Sequence, residues 1–451
     1  MLTRLKVSGF KNLVDVDVHF GPFTCLAGAN GVGKSNLFDA IGLLSTLAEL
    51  PLAEAGRGGQ VRGLFHRVGA ESAREMEIEA EMIVPPTAVD DLGRPARATI
   101  TFLRYSLGLR WRPDGGGMEV VREDLARVHK GSARSHLPFG PSPDWRRSAV
   151  KGHRRGTHFL VTAMEGERRA IHIHQDGGVT GRPRAVLAAG LARTVLSAAT
   201  SAESPTAVVA RREMQSWRRF ALQPAALRKP DALGAPAHLA GDGAHLPATL
   251  RRLGGVPGQP RFQVVRDETR ERLELVAVDP DGTRWPAGAL AAGDLRFLAL
   301  EALAADPFAP ALVCLEEPEN GIHPERIPAL LELLKKIATD PAAPVGPENP
   351  LRQVIAITHS PAVVSQALDD SLLVAEASAR ERDGSRFQAL SLACLPNTWR
   401  ADHGVPTVDP ARLAAYLRAA PRAEVETAPA PEGERRPRRV ADRSDLQMDL
   451  F

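Results

Sequence analysis

An α/β fold is predicted by three observations. Short apolar runs at residues 23–27, 311–315 and 354–357 have the length of buried strands, and each runs into polar residues of a distinct kind: glycines, a pair of acids, a histidine. Leu37, Ile41, Leu44 and Ala48 recur at helical spacing directly after the first run. In the middle of the chain Met76, Ile78, Ala80, Met82 and Val84 alternate with polar residues, as strands with one wet face do.

The bulk numbers set limits on this fold. With 451 residues, 43% of them hydrophobic, the chain can bury a large core divided among two or three lobes. A formal charge of +3 gives no global nucleic-acid footprint, so any DNA contact must come from a local patch. Only 8 of the 57 basic residues are lysine, which reads as genome composition rather than arginine chemistry. Cys25, Cys314 and Cys394 lack metal-ligand spacing; the first two sit inside apolar runs and read as small core residues in a reducing cytoplasm. The opening residues alternate and carry Arg4, Lys6 and Lys11, a strand rather than a signal peptide. No uncharged apolar stretch reaches bilayer length, since the best, at 186–202, is broken by Arg193. A cytoplasmic protein with no membrane partner is expected.

Along the chain, Val14, Val16, Val18 and Phe20 mark a half-buried strand before the 23–27 run. Ile100 and Phe102, then Ile171 and Ile173, continue the β character. Residues 113–151 read as loop because Gly, Pro, Ser and Arg crowd there. From 184 to 253 the pattern turns helical, broken by Pro205, Pro224, Pro230, Pro236 and Pro247, and strands return at 262–265 and 273–278. After about 418 the periodicity is lost.

Gly28-Ala29-Asn30-Gly31-Val32-Gly33-Lys34-Ser35, followed by Asn36, is a full G-x-x-x-x-G-K-S pattern between a strand and a helix. The glycines let the backbone wrap phosphates and turn N–H groups inward; Lys34 neutralises the β and γ phosphates, and the Ser35 hydroxyl ligates magnesium. ATP and Mg2+ are the cofactors this loop calls for. The run at 311–315 leads into Glu316 and Glu317: the first suits a magnesium shell, the second a general base that orients water. Two acids after a buried strand also occur as an ordinary solvated strand end.

Leu315-Glu316-Glu317-Pro318-Glu319-Asn320-Gly321-Ile322-His323-Pro324, with Ile357-Thr358-His359-Ser360-Pro361, resembles ATP-binding-cassette ATPases of the RecF and SMC kind. Within that group it looks like stand-alone ATPases related to the overcoming-lysogenization-defect family. The likeness spans most of 1–376 and includes the opening Leu5-Lys6-Val7-Ser8-Gly9-Phe10-Lys11-Asn12. Ser216-Trp217-Arg218 and Gly241-Asp242-Gly243-Ala244-His245-Leu246-Pro247 look like that group's lid. The resemblance implies a P-loop NTPase, an ABC-ATPase head with a β-rich insertion and a helical lid subdomain. It implies a homodimer sandwiching two ATP molecules, with Gly293, Asn320 and His323 at the seam and His359 as the switch histidine at the γ phosphate. A lone histidine after a strand also occurs as a structural residue.

On this reading residues 1–69 are the first part of the head with the P-loop, 70–183 the β-rich insertion, and 184–285 the lid with returning strands. Residues 286–395 hold the signature-like loop, the acids and the switch histidine; 396–418 form a C-terminal helix, and 419–451 a disordered tail.

There are departures from the family pattern. The signature loop, usually Leu-Ser-x-Gly, is Leu290-Ala291-Ala292-Gly293, so the serine that reaches a partner's γ phosphate is Ala291. One such donor is worth on the order of 3 kcal/mol, which implies slow or partner-activated hydrolysis. Glu316 stands where Asp is commoner, and Gln60 is the candidate for the glutamine usually offered to magnesium. No nuclease domain is visible, so any cleavage is expected from a separate effector protein. The output implied by analogy is action on DNA or on that effector, in repair or phage defence. An ATP-gated scaffold that barely hydrolyses, a transporter ATPase subunit and a small-molecule kinase are the alternatives. The last two conflict with the long spacing from Lys34 to Glu317 and with the Glu-Glu-Pro-Glu-Asn-Gly and Thr-His-Ser-Pro strings.

Two further clusters stand out. Trp145, Arg146, Arg147, Lys151, His153, Arg154 and Arg155 form either a solvated face or a contact for DNA phosphates or a partner. Gln447-Met448-Asp449-Leu450-Phe451 resembles the peptide that docks to bacterial sliding clamps, with Gln447, Leu450 and Phe451 as the contacting residues; the same end is also suited to packing on its own domain.

Overall fold

The computed structural model describes residues 1–56, 61–69, 71–112, 117–152, 158–176, 183–255, 258–382, 384–417 and 438–443. Strand β1 (Leu2–Ser8) pairs antiparallel with β2 (Val16–His19), and β3 (Phe23–Ala27) leads through the glycine loop into α1 (Lys34–Leu47). Then come β4 (Glu75–Ile83), β5 (Phe102–Arg112), β6 (Gly117–Arg127), α2 (Pro143–Ala149), β7 (His158–Glu165), β8 (Arg168–Ile173) and β9 (Arg184–Leu187). These strands and the first pair make one eight-stranded antiparallel sheet in the order β9-β8-β7-β6-β5-β4-β1-β2. The expected insertion at 70–183 is therefore no separate unit: β4 hydrogen-bonds to β1 along nearly its whole length.

The chain continues through α3 (Pro205–Gln215) and β10 (Trp217–Phe220). A small sheet follows, built from β11 (Asp231–Ala232), β12 (Phe262–Asp267), β13 (Arg272–Val278) and β14 (Arg284–Pro286), with α4 (Leu246–Leu253) among them. Strands β12 and β13 stand where strands were expected to return, whereas 184–253 of the lid, expected to be helical, also holds β9, β10 and β11. Trp217 and Arg218 belong instead to the main sheet, because β10 pairs parallel with the later strand β15 (Leu312–Glu316). Helix α5 (Ala292–Ala305) precedes β15; α6 (Ile327–Ile337), β16 (Gln353–Thr358), α7 (Pro361–Gln366), β17 (Leu372–Arg382), β18 (Ser385–Ala393) and α8 (Pro410–Leu417) follow it. The main sheet runs β10-β15-β16-β3-β17-β18 and is parallel except for the β17–β18 hairpin.

Alternation along the parallel strands divides the core in two. Leu26, Leu312, Cys314, Ile355 and Ile357 face α1 and the eight-stranded sheet. Cys25, Val313, Leu315, Val354 and Ala356 face α5, α6 and α7 on the other side. Helix α1 lies between two sheets, so Leu37, Phe38, Ile41, Leu43, Leu44 and Leu47 are all buried. All three cysteines are buried and unpaired.

The loop expected at 113–151 is not found over its described residues, 117–151. Glycine and arginine density hid a strand whose Met118, Val120 and Leu125 pack inward, and a helix capped by Ser142, whose side chain accepts from the N–H of Trp145 at 3.1 Å. Trp145 is no surface residue: it is fully buried in a third cluster with Phe102, Val128 and Leu137, and its Nε1 donates to Thr339 Oγ1 at 3.3 Å. Val345 N–H donates to Ser148 Oγ at 2.7 Å, so α2 fastens the antiparallel sheet to the loop after α6.

The expectation of a structureless tail fails at 438–443. Val440 is fully buried, its N–H donates to Ala367 O at 3.0 Å, and Arg439 makes a β-bridge to Leu368. The pocket for Val440, the carbonyl of Arg438, which accepts from Asp369 N–H at 2.8 Å, and Arg443, which donates to Pro396 O at 2.8 Å, together dock a segment that has no periodicity. No helix among the described residues is long and apolar enough to cross a membrane.

Two measurements check this packing. Trp145→Ala is expected to lower unfolding free energy by about 3–5 kcal/mol, read from the urea midpoint at unchanged slope. Glu123 on β6 is fully buried and accepts from the N–H groups of Val195 and Leu196, each at 2.7 Å, yet burial pushes its carboxyl up to about 7. An acid raised in the folded state binds more protons folded than unfolded, so its stabilising contribution is full below its ordinary value and is lost as pH rises towards 7. Glu123→Gln should flatten the stability profile over that window, whatever its constant offset; an unchanged slope would refute the assignment.

Candidate functional site

Parallel pairing brings the carboxyl ends of β3, β15 and β16 to one edge, and each predicted motif begins where its strand stops. After β3 the backbone turns through Gly28, Gly31 and Gly33 at φ 154, 81 and 106. A side chain at Gly28 would collide with the carbonyl of Ala375, and one at Gly33 with the amide of Asn12. Ala29, Asn30, Gly31 and Ser35 are exposed, and Val32 and Asn36 half-buried. The backbone N–H groups of Gly31, Val32, Gly33, Lys34 and Ser35 have no acceptor among the described residues. A run of outward donors at the start of a 14-residue helix fits the phosphate chain of a nucleotide.

Lys34 is buried, and its Nζ donates to the carbonyls of Gly28 at 2.6 Å and Ala29 at 2.8 Å. Burial pushes its pKa down, partly opposed by Glu317 and Glu319. Asn12 brackets the loop: Nδ2 donates to Val32 O at 3.0 Å, Oδ1 accepts from Asn36 Nδ2 at 2.8 Å, and its own carbonyl accepts from Leu390 N–H at 2.9 Å. It lies in the opening string of the resemblance but was given no role there.

Glu316 ends β15 with its Oε1 2.5 Å from the Arg219 guanidinium. Arg219 also holds Asp39 Oδ1 at 2.7 Å, and Asp39 Oδ2 lies 2.5 Å from Lys11 Nζ. Sequence reading missed Arg219, since only the β10–β15 pairing brings it to Glu316. Glu317 takes the left-handed conformation at φ 45, rare for a side-chain-bearing residue outside functional turns. Its N–H donates to Ile357 O at 2.8 Å, Oε1 meets His359 Nδ1 at 2.7 Å, and Oε2 accepts from Asn320 Nδ2 at 2.6 Å. Tyr416 on α8 donates its hydroxyl to the carbonyl of His359 at 2.6 Å.

The carboxylate of Glu316 and the exposed hydroxyl of Ser35 are the hard oxygen ligands that suit Mg2+, although Glu316 shares its charge with Arg219. Among the described residues no group of three or more His, Cys, Asp or Glu is placed to hold a metal.

Of the seam candidates, Asn320 and His323 are exposed, whereas Gly293 is buried, its Cα pressed against the carbonyl of Gly321. Ala291 sits at the start of α5 without a side-chain cap. The basic cluster divides: Trp145 is core, Arg147 pairs with Asp144, and Lys151 is exposed. Gln60, His153, Arg154, Arg155, Gln447, Leu450 and Phe451 lie outside the described residues.

The family model described as "AAA domain, putative AbiEii toxin, Type IV TA system" matches residues 23–365, well over half of the chain. The chain is 40% identical over 79 residues to the DNA replication and repair protein RecF of Magnetococcus marinus, covering 17% of this chain and 20% of that protein. It is 36% identical over 87 residues to RecF of Paenarthrobacter aurescens, covering 18% and 22%. The chain thus spans about a fifth of the length of the curated relatives it matches. Among solved structures it is similar to an SMC head bound to the C-terminal winged-helix domain of ScpA, with 15% identity, TM-score 0.44, and 89% and 99% of the two chains covered. It is also similar to the SMC head domain of Thermotoga maritima, with 14% identity, TM-score 0.38, and 87% and 98% covered. The chain belongs to the AAA-domain family so described. The narrower likeness to the overcoming-lysogenization-defect family finds no support in these matches.

Asn12→Ala removes the bracket on the glycine loop. Amide hydrogen exchange of Asn36, whose N–H donates to Gly33 O at 3.0 Å, is expected to accelerate about tenfold, the equivalent of one net hydrogen bond, while exchange in the antiparallel sheet is unchanged.

Proposed function

We propose that this AAA-domain chain binds ATP with Mg2+ at the glycine loop and hydrolyses it. The observation that carries the reading is the meeting of three motifs, Gly28 to Ser35, Glu316-Glu317 and His359, at one edge of the parallel sheet. The N–H groups of the loop receive the phosphates, and Lys34 exchanges its two carbonyl partners for phosphate oxygens. Ser35 and Glu316 hold the cation, which, when bound, neutralises phosphate charge. Glu317, held between His359 and Asn320, takes the proton of the attacking water. His359 is placed to follow the γ phosphate. For the glutamine offered to the metal, Gln223 replaces Gln60 as the candidate: it is exposed and follows β10, the strand beside β15.

Two subunits closing on two nucleotides, with Gly293, Asn320 and His323 at the seam, complete the proposed cycle. Its output is action on duplex DNA or on a separate effector, in repair or phage defence, inside the cytoplasm. The role of RecF in DNA replication and repair favours DNA, and the end peptide at 447–451 offers a sliding clamp as a docking partner. A second reading, an ATP-gated scaffold with little turnover of its own, is favoured by Ala291 and by the Arg219 pairing that occupies Glu316.

ATP turnover of the purified chain, with and without duplex DNA, tests both. Lys34→Ala should abolish nucleotide binding, and Glu317→Gln should keep binding while slowing turnover about 100-fold or more. Binding without turnover in either condition would leave the scaffold reading; no binding would remove both.

A further inference from the structure

Glu319 has no part in the scheme above, yet it lies at the centre of the site. It is 7% exposed, three residues beyond Glu316, in the turn that follows β15. Its Oε1 accepts from the hydroxyl of Thr358, the last residue of β16, and that hydroxyl oxygen in turn accepts from the N–H of Ser360 at 2.9 Å. Its carbonyl accepts from the N–H of Ile322 at 2.9 Å, closing the turn on its own side. One side chain therefore joins the two turns that carry Glu317 and His359. Those residues meet each other only through the 2.7 Å contact between a carboxylate and an imidazole that are both partly open to water. The second Glu319 oxygen, Oε2, is buried without a partner. A full negative charge there would be held only by the Thr358 hydroxyl and by the residue's own backbone N–H. Burial pushes this carboxyl above its ordinary range, and the charge of Glu317 adds to the effect. Lys34, Arg296 and His359 are the cationic groups within electrostatic reach.

We propose that Glu319 is a positioning residue: a hydrogen-bonding strut between the turns after β15 and β16 that holds Glu317 against His359 and acts through its hydrogen bond, not through charge. The proposal rests on the reading of Glu317 and His359 as the hydrolytic pair.

Glu319→Gln keeps an acceptor for Thr358 and removes the charge, whereas Glu319→Ala removes both. Steady-state ATP turnover is expected within about threefold of wild type for Gln, and lowered about tenfold or more for Ala with KM within about twofold. Thr358→Val, which deletes the hydroxyl at nearly constant volume, should match the alanine variant and serves if that variant does not fold. A Gln variant as slow as Ala, a kcat unchanged by loss of the strut, or a KM that rises in step with the loss would overturn the proposal. The ring signal of His359 in protein labelled with 13C-histidine, identified by its loss in His359→Gln, separates this idea from the hydrolysis reading. If wild type does not turn over ATP, hydrolysis fails, and the signal decides alone: displaced in Ala and restored in Gln, the strut stands; unmoved in Ala, it falls.

Discussion

Everything in the site depends on parallel pairing of three strands. Val354 to Thr358 of β16 lie against Phe23 to Ala27 of β3, residue by residue, and β15 lies against β16 on the other side. Parallel strands end at the same edge, so the loops that follow emerge together although the glycine loop stands hundreds of positions before the other two in sequence. A slip of one residue would turn Leu26, Cys314 and Ile357 from one core to the other. Burial on both faces thus sets the register, and the register sets the distance from Glu317 to His359.

Charges around this edge are held by the protein itself. Lys34 is satisfied by two carbonyls of its own loop, and Arg219 spans Asp39 and Glu316. Arg219 is 41% exposed at its side chain, so solvent screens the pair and its strength is modest. Such contacts keep a cluster of acids and cations from repelling or collapsing, and remain weak enough to exchange for a ligand. The same logic fails deeper in the fold. Arg400 is almost fully buried, stacks at 4.0 Å on Trp399, and donates to Asp370 O and to Thr24 Oγ1 on β3; burial pushes it down to about 9. Through these hydrogen bonds and the stacking, with the charge of Asp370 within electrostatic reach, this guanidinium ties the C-terminal section to the strand before the glycine loop.

The C-terminal section also reaches the site directly. Tyr416 bonds the carbonyl of His359, and Arg412 pairs with Glu376 on β17, so α8 is tied to the turn after β16 and to the sheet. The docked segment at 438–443 covers α7 close by. A shift of the histidine turn would be felt by α8, an arrangement that links the chemistry to the end of the chain.

Sequence alone determined what local chemistry determines. Glycine spacing, a lysine and a serine mark the loop because that order suits a backbone wrapped round phosphate; short apolar runs mark the buried strands because both faces must be apolar. Glu317 and His359 were legible as candidates for the same reason, each standing just past such a run. Tertiary structure decided what depends on distant partners. Arg219 reaches Glu316 only because β10 pairs with β15, and Asn12 meets Val32 only because β1 ends beside the loop. Trp145, amid arginines and prolines, gave no periodic signal, and its burial follows from the meeting of α2 with the loop after α6. Val440 was hidden in a charged tail, since one buried valine leaves no pattern. Glu319 was visible in its motif, but its role rests on Thr358 in the neighbouring strand. Local pattern reports what a residue is suited to do, and long-range hydrogen bonds between strands decide what it touches.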